Sequence, residues 1–249
     1  MIADTLHLFN KYMIITLRMP LWSLFTLIQP LIWLIIFGQL FGRFVQTENY
    51  MDFMVPGILI MTVLFGSSWS GVSLLREISA GTVDRMLVSP VSRVSIVLSR
   101  VLHSAVQVLA QALVILIVAW LIMDSTITKN ILYLALGMLV VFLLGVGFAA
   151  ISNGFAITLQ REEPLVMIGN LMTLPLMFFS SALVPKQFMP TWIEYVSLVN
   201  PITYAVEAVR AVLVGPPDFG LYFKGLAVML VFAGATLAWA VTAFNALRD

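Results

Sequence analysis

Little in this chain can do covalent or hydrolytic chemistry. Cysteine is absent, so no thiolate nucleophile, disulfide or thiolate metal site can form. The two histidines, His7 and His103, lie in different segments, and metal sites usually need three or four ligands. None of the four lysines (Lys11, Lys129, Lys186 and Lys224) follows a glycine, so the Gly-Lys-Ser/Thr cradle that holds nucleotide phosphates is missing. What remains is a cluster of charge. The stretch LLREISAGTVDRMLVSPVSRVSIVLSR, Leu74 to Arg100, carries six charges (Arg76, Glu77, Asp84, Arg85, Arg93 and Arg100) in a chain only 10% charged.

The signals inside that stretch are those of a short capped helix. Gly81 permits a sharp turn. Thr82 is the expected N-cap, followed by Val83, Asp84, Arg85, Met86 and Leu87, with Asp84 near the positive helix start. Ser89-Pro90 stops the helix, because the residue before proline is pushed out of helical geometry. Ser92 then caps the next helix. A helix this short is unstable alone, so something must pack on it. An anchor that merely holds positive charge inside would explain the arginines, but not a turn with Gly and Pro at its two ends.

The elements that hold this segment are apolar. Hydrophobic residues make up 61% of the 249, well above the roughly 45–50% of soluble domains, and the mean hydropathy is +1.04. Membrane lipid accepts such an exterior. A net charge of +1 supplies no basic excess for nucleic acid. Charge-free intervals run over Met19–Gly42, Phe53–Leu75, Val101–Met123, Asn130–Gln160, Pro164–Pro185 and Gly225–Leu247. Each reaches the ~20 residues that cross a bilayer as a helix, and none is long enough for two. The expectation is an all-α integral membrane protein of six transmembrane helices, with residues 1–249 forming a single transmembrane domain.

Six spans put both termini on one side. That side holds eight basic residues (Lys11, Arg18, Arg76, Arg85, Arg93, Arg100, Arg161 and Arg248) against five on the other (Arg43, Lys129, Lys186, Arg210 and Lys224). The positive-inside rule therefore places both termini in the cytoplasm. Leu6, Phe9, Met13 and Leu17 recur at helical spacing away from His7, Lys11 and Arg18. This predicts an amphipathic interfacial helix, with Asp4 or Thr5 as N-cap, rather than a secretory signal.

Between the fifth and sixth spans, Lys186–Lys224 is too long for a tight turn and too apolar for a solvated loop. Tyr195–Val206 is a charge-free run of 12 residues, the length of a re-entrant or interfacial segment. Glu207 and Arg210, three apart, can pair on one helix face. Inside the spans Gln107 and Gln111 share a face of the third, and Gln29, Asn153 and Asn170 lie in others. Such groups are either glue between helices or the lining of a pathway. Gly145-x-x-x-Ala149, Ala150-x-x-x-Gly154 and Ser67-x-x-x-Gly71 permit close helix approach.

REISAGTVDRMLVSPVSR closely resembles the first cytoplasmic loop of the ABC-2 type permeases, the membrane subunits of ATP-driven exporters. There an acidic residue, a Gly-Thr pair and a Ser-Pro-x-Ser-Arg run form a coupling helix, matched by Glu77, Gly81, Thr82, Ser89, Pro90, Ser92 and Arg93. YMDFMVPGILIMTVLFGSSWSGV (Tyr50–Val72) resembles the second-span start of the daunorubicin-type drug exporters in that family. LVNPITYAVEAVRAVLVG (Leu198–Gly215) is similar to the family's signature before its last span.

The resemblance implies two facing permeases in the cytoplasmic (inner) membrane, with a homodimer expected. Two copies of a separate ATP-binding subunit would bind the ATP and Mg, leaving this chain with no cofactor and no catalytic residue. It also implies a second, smaller ATPase contact at Arg161, Glu162 and Glu163. Short re-entrant helices would cap the outer exit, placing Asn200, Pro201, Tyr204, Glu207 and Arg210 there. The adjacent glutamates do not make an intramembrane protease of the CAAX type, which wants an arginine where Met167 stands. A drug-like or lipid-like cargo, a lipid-linked polysaccharide or teichoic-acid precursor, and a non-transport scaffold binding some cytoplasmic partner remain as three readings. The tryptophans, mostly near span ends, favour the first slightly.

Overall fold

The computed structural model describes residues 2–41, 50–88, 91–122, 125, 127–186 and 189–246. Ser89, Pro90, the side chain of Leu87, Arg43 and Arg248 lie outside the described residues. Among those described, regular structure is entirely helical.

Helix α1 (Ile2–Arg18) lies against the bundle. It begins at Ile2, so neither Asp4 nor Thr5 is its cap; Asp4 instead falls in the first turn, where the helix dipole favours a carboxylate. The expected apolar stripe is not the packed face. Leu6 and Leu17 are exposed, whereas Tyr12 is buried with Leu8 and Thr16 beside it. Leu6 and Leu17 are thus left for lipid, while a face with hydroxyl groups meets protein.

Next come α2 (Pro20–Phe41), α3 (Tyr50–Ser68) and α4 (Ser70–Ser79). They are followed by the short α5 (Thr82–Leu87) and the long α6 (Arg93–Ile122). Then α7 (Ile131–Leu159), α8 (Glu162–Phe178), α9 (Thr191–Val199), α10 (Pro201–Leu213) and α11 (Phe219–Asn245) complete the chain. Asparagine and aspartate start three of these. Asn130 accepts from the Leu132 amide, Asn200 from Ile202, and Asp218 from Leu221.

Among the described residues, four helices are long and apolar enough to cross a membrane: Asp52–Ser79 (α3 with α4), Arg93–Leu121, Ile131–Leu159 and Phe219–Asn245. The pair α9 and α10, bent by 86°, would make a fifth if counted as one broken span. The other two expected intervals coincide with α2, whose apolar stretch here is Phe25–Ile36, and α8. Instead of running to Pro185, α8 stops at Phe178 after 17 residues, about 26 Å at 1.5 Å per residue. Asn200 Nδ2 captures the Leu176 and Phe179 carbonyls at its end, and residues 179–185 leave the helix as turn and bend.

At the centre stands α7, apolar all round and buried over most of its length from Gly137 to Ile157. It packs on α3, α4, α6, α10 and α11. One core cluster gathers Ile58, Leu64, Ile115, Leu144 and Val209. A second, toward the charged loop, gathers Leu74, Leu75, Val83, Ile96 and Phe244. Small residues set the spacing: a Cβ on Gly71 would lie 2.1 Å from the Ser152 carbonyl oxygen, and one on Gly145 2.9 Å from Val108.

Candidate functional site

Gly81 takes φ 66° and ψ 14°, left-handed geometry that glycine adopts without strain, and turns the chain from α4 into α5. Gly81, not Thr82, occupies the cap position. Thr82 is the first helical residue, and no side chain caps α5. Asp84 falls in the first turn as expected. Val83 is only 3% exposed and roots α5 in the core, with Met86 half-buried beside it. Asp84 and Arg85 point to solvent, and Val88 after them is 80% exposed. The helix is thus held by one apolar face and offers one charged face.

The neighbouring loops are tied to this element. Arg76 pairs with Glu162 at 3.1 Å, joining α4 to the start of α8, where Glu162 and Glu163 occupy the first turn after an uncapped Arg161. Arg93 donates to the Asn245 carbonyl at 3.1 Å, joining the start of α6 to the end of α11.

Glu77 does not face outward with Asp84 and Arg85. It forms an ion pair with Arg100, which is buried to 4% exposure and also reaches Ser73 Oγ at 3.5 Å. The Arg100 guanidinium lies 4.8 Å from the Tyr12 ring centre, and the Tyr12 hydroxyl donates to Glu77 Oε2 at 3.3 Å. Burial pushes the Tyr12 phenol up to about 12, with Arg100 opposing and Glu77 reinforcing the shift, so Tyr12 stays a donor at neutral pH. One turn further along α1, Thr16 Oγ1 meets His103 Nε2 at 2.7 Å. Positions i and i+4 of α1 therefore grip positions i and i+3 of α6.

Sequence reasoning used Arg100 only as a charge marking sidedness and passed over Tyr12 and Thr16. The signal was present. Glu77 and Arg100 are opposite charges close to the apolar runs that bracket the loop, and Tyr12 and Thr16 break the apolar character of α1 on one face.

Among the intramembrane polar groups, Asn153 is fully buried and donates to Ser70 Oγ at 2.9 Å and the Ala149 carbonyl at 2.7 Å. Of the two roles open to it, these bonds are those of glue between helices. Its neighbour Ser152 does more. Where α3 gives way to α4, Ser152 Oγ donates to the Ser68 carbonyl (2.6 Å) and accepts from the Gly71 amide (2.9 Å), bridging the interruption at Trp69. Gln107 and Gln111 do line open space, a cleft of about 230 Å³ between α1, α2, α4 and α6. A second cleft, of about 360 Å³, runs between α2, α3 and α8, lined by Gln29, Asn170, Ser68, Thr173 and Trp69. Trp69, 44% exposed at the helix junction rather than a span end, borders both.

At the far end Asn200 and Pro201 make the bend between α9 and α10, and the Tyr204 hydroxyl donates to the Leu198 carbonyl at 2.8 Å. Glu207 pairs with Lys186 rather than Arg210. Arg210 instead donates to the carbonyls of Phe53 (3.1 Å) and Ser181 (3.2 Å) and stacks 3.9 Å over the Phe53 ring. Chain turns at residues 180–186 bring the lysine to Glu207, and the start of α3 satisfies the arginine.

Residues 4–214 match the family described as ABC-2 type transporter. A transport permease of Cyanophora paradoxa, ycf38, is 34% identical over 200 residues, covering 78% of this chain and 68% of that protein. The daunorubicin resistance ABC transporter permease protein DrrB1 of Streptomyces coeruleorubidus is 25% identical over 249 residues, covering 99% and 86%. A doxorubicin resistance ABC transporter permease protein, DrrC, of Mycobacterium tuberculosis is 26% identical over 220 residues, covering 87% and 79%. Permeases of this kind are not enzymes, and they work with separate ATP-binding subunits. A helical bundle with several membrane-crossing helices and one charged end, matched over most of its length, is thereby placed: this chain is a multi-pass membrane permease belonging to the ABC-2 type transporter family.

Proposed function

We propose that this chain is the permease of an ATP-driven exporter that moves a hydrophobic or amphipathic, drug-like or lipid-like molecule outward across the cytoplasmic membrane. Its charged end faces the cytoplasm, it pairs with a second copy, and two ATP-binding subunits dock on the pair. One observation carries the reading. The short helix α5 is rooted through Val83 and turns its Asp84 and Arg85 outward, on a lever (α4) continuous with a membrane span. Motion imposed on α5 is thereby delivered to α4 and to the clefts that α4 and the α3–α4 junction border. Glu77 contributes by holding α4 to α6 and α1, while Asp84, Arg85 and Met86 offer the contact, with Arg161, Glu162 and Glu163 beside it. Relatives named for daunorubicin and doxorubicin resistance support the drug-like cargo.

The test is docking. Asp84→Lys and Arg85→Glu together reverse two exposed charges and leave the packed face alone. The expected result is that co-purification of the ATP-binding subunit and stimulated ATP hydrolysis fall at least tenfold, about 1.4 kcal/mol of contact, with the yield of folded permease unchanged. Undiminished co-purification and hydrolysis would overturn the assignment of α5.

A further inference from the structure

The cleft of about 230 Å³ beneath α1 is not accounted for by coupling. Its walls are α1, α2, α4 and α6, and its lining is polar for a protein this apolar. Ser104 is 5% exposed and Gln107 half-buried, and two polar atoms of the cleft wall, Gln111 Oε1 and Arg100 Nε, are buried without a hydrogen-bond partner among the described residues. Polar groups left unpaired at such depth cost free energy unless something occupies them. The only formally charged residues among the described lining are Glu77 and Arg100, and they answer each other as an ion pair. No net charge is left to attract an ion.

The cleft has two further features. Gln111 Nε2 donates to Thr26 Oγ1 at 2.7 Å, pinning α6 to α2 at one end. At the mouth stand Ile15 of α1, 45% exposed, and Met19 of the link from α1 to α2, 64% exposed, both apolar. A partner must therefore both donate and accept hydrogen bonds, carry no net charge, and continue into an apolar part that leaves past Ile15 and Met19. The indole of Trp69 offers a flat wall for a ring.

The geometry points to this cleft as a binding site for an uncharged, hydroxyl-rich head group carried on a hydrocarbon tail, a neutral glycolipid being the chemical class. Hydroxyl groups donate to Gln111 Oε1, accept from Arg100 Nε and pair with the neighbouring Ser104 and Gln107, which a phosphate or an ammonium would do only at the cost of burying an unbalanced charge. The site involves no ATP-binding subunit, so it stands or falls apart from the exporter reading.

The test uses the full-length permease alone, in phosphatidylcholine nanodiscs containing a small fraction of a monoglucosyl diacylglycerol with a photoactivatable sugar. Cross-linked peptides are mapped by mass spectrometry. Labelling should saturate with probe fraction and fall on residues 101–111 and 66–77. It should drop about three- to tenfold in Gln107→Leu, as the loss of one hydrogen bond predicts, and similarly in Ser104→Leu. Gln107 is only half-buried, so its leucine variant keeps the test open should Ser104→Leu fail to fold. Labelling elsewhere only, labelling indifferent to Gln107→Leu, or equal labelling by phosphatidylglycerol or cationic analogues bearing the same photoactivatable group would overturn the assignment.

Discussion

Arg100 joins α1, α4 and α6 by three kinds of interaction at once: an ion pair with Glu77, a hydrogen bond to Ser73 and a stack on Tyr12. Removing one partner of a buried pair is costlier than removing both, because the survivor keeps its charge without its compensation. Arg100→Leu should therefore lower the stability of the purified protein by about 3 kcal/mol or more, read as a fall in melting temperature in detergent. The double variant Glu77→Leu with Arg100→Leu should recover most of that loss, the non-additivity expected of residues in contact. A double variant no more stable than the single one would show that the pair does not act as a unit. This node was only half legible in the sequence. Opposite charges bracketing one loop are visible in a string of letters, but the arrival of Tyr12 from 65 residues away is decided by how α1 lies down.

The helix pair α3 and α4 shows what an element can hide. As a sequence it reads as one apolar run, and as a structure it is interrupted at Trp69, with the broken ladder completed by Ser152 of α7. Ser152→Ala leaves the Ser68 carbonyl and the Gly71 amide without that hydroxyl, and each such group costs about 1–3 kcal/mol when buried and unpaired. Thermal unfolding should therefore show a loss of about 2 kcal/mol or more. Gly71→Ala should be worse, since its Cβ would meet the Ser152 backbone. A neutral Ser152→Ala would mean that water replaces the hydroxyl and the junction does not depend on α7. Asn153 stands out in the sequence because an amide in a span is conspicuous. Serine is unremarkable there, and its importance exists only relative to a break in another helix.

At the scale of the whole molecule, the proposed arrangement puts α5 on one side of the membrane and the α9–α10 bend on the other. The natural absence of cysteine makes this directly measurable. Val88→Cys and Val199→Cys place single thiols at positions 80% and 85% exposed. In intact cells a membrane-impermeant maleimide should modify the Val199 position and spare the Val88 position until the membrane is opened. Labelling of both from outside would reverse or break the proposed topology. The charge asymmetry that suggests this orientation is modest, eight basic residues against five, but four of the eight sit in one short loop, and it is that loop which carries α5.

The sequence by itself determined the membrane as solvent, the approximate positions of the helices and the short charged helix after Gly81. These follow from local properties: a run of apolar side chains long enough to cross lipid, a residue that tolerates positive φ, and the lack of any phosphate cradle. Tertiary structure decided the rest. It turned Glu77 inward to Arg100, gave Glu207 to Lys186, ended α8 at Phe178 and tied Asn153 to Ser70. In each case the deciding quantity is which distant group satisfies a buried charge, amide or carbonyl. Such demands are met across space, by partners that no spacing along the chain can name.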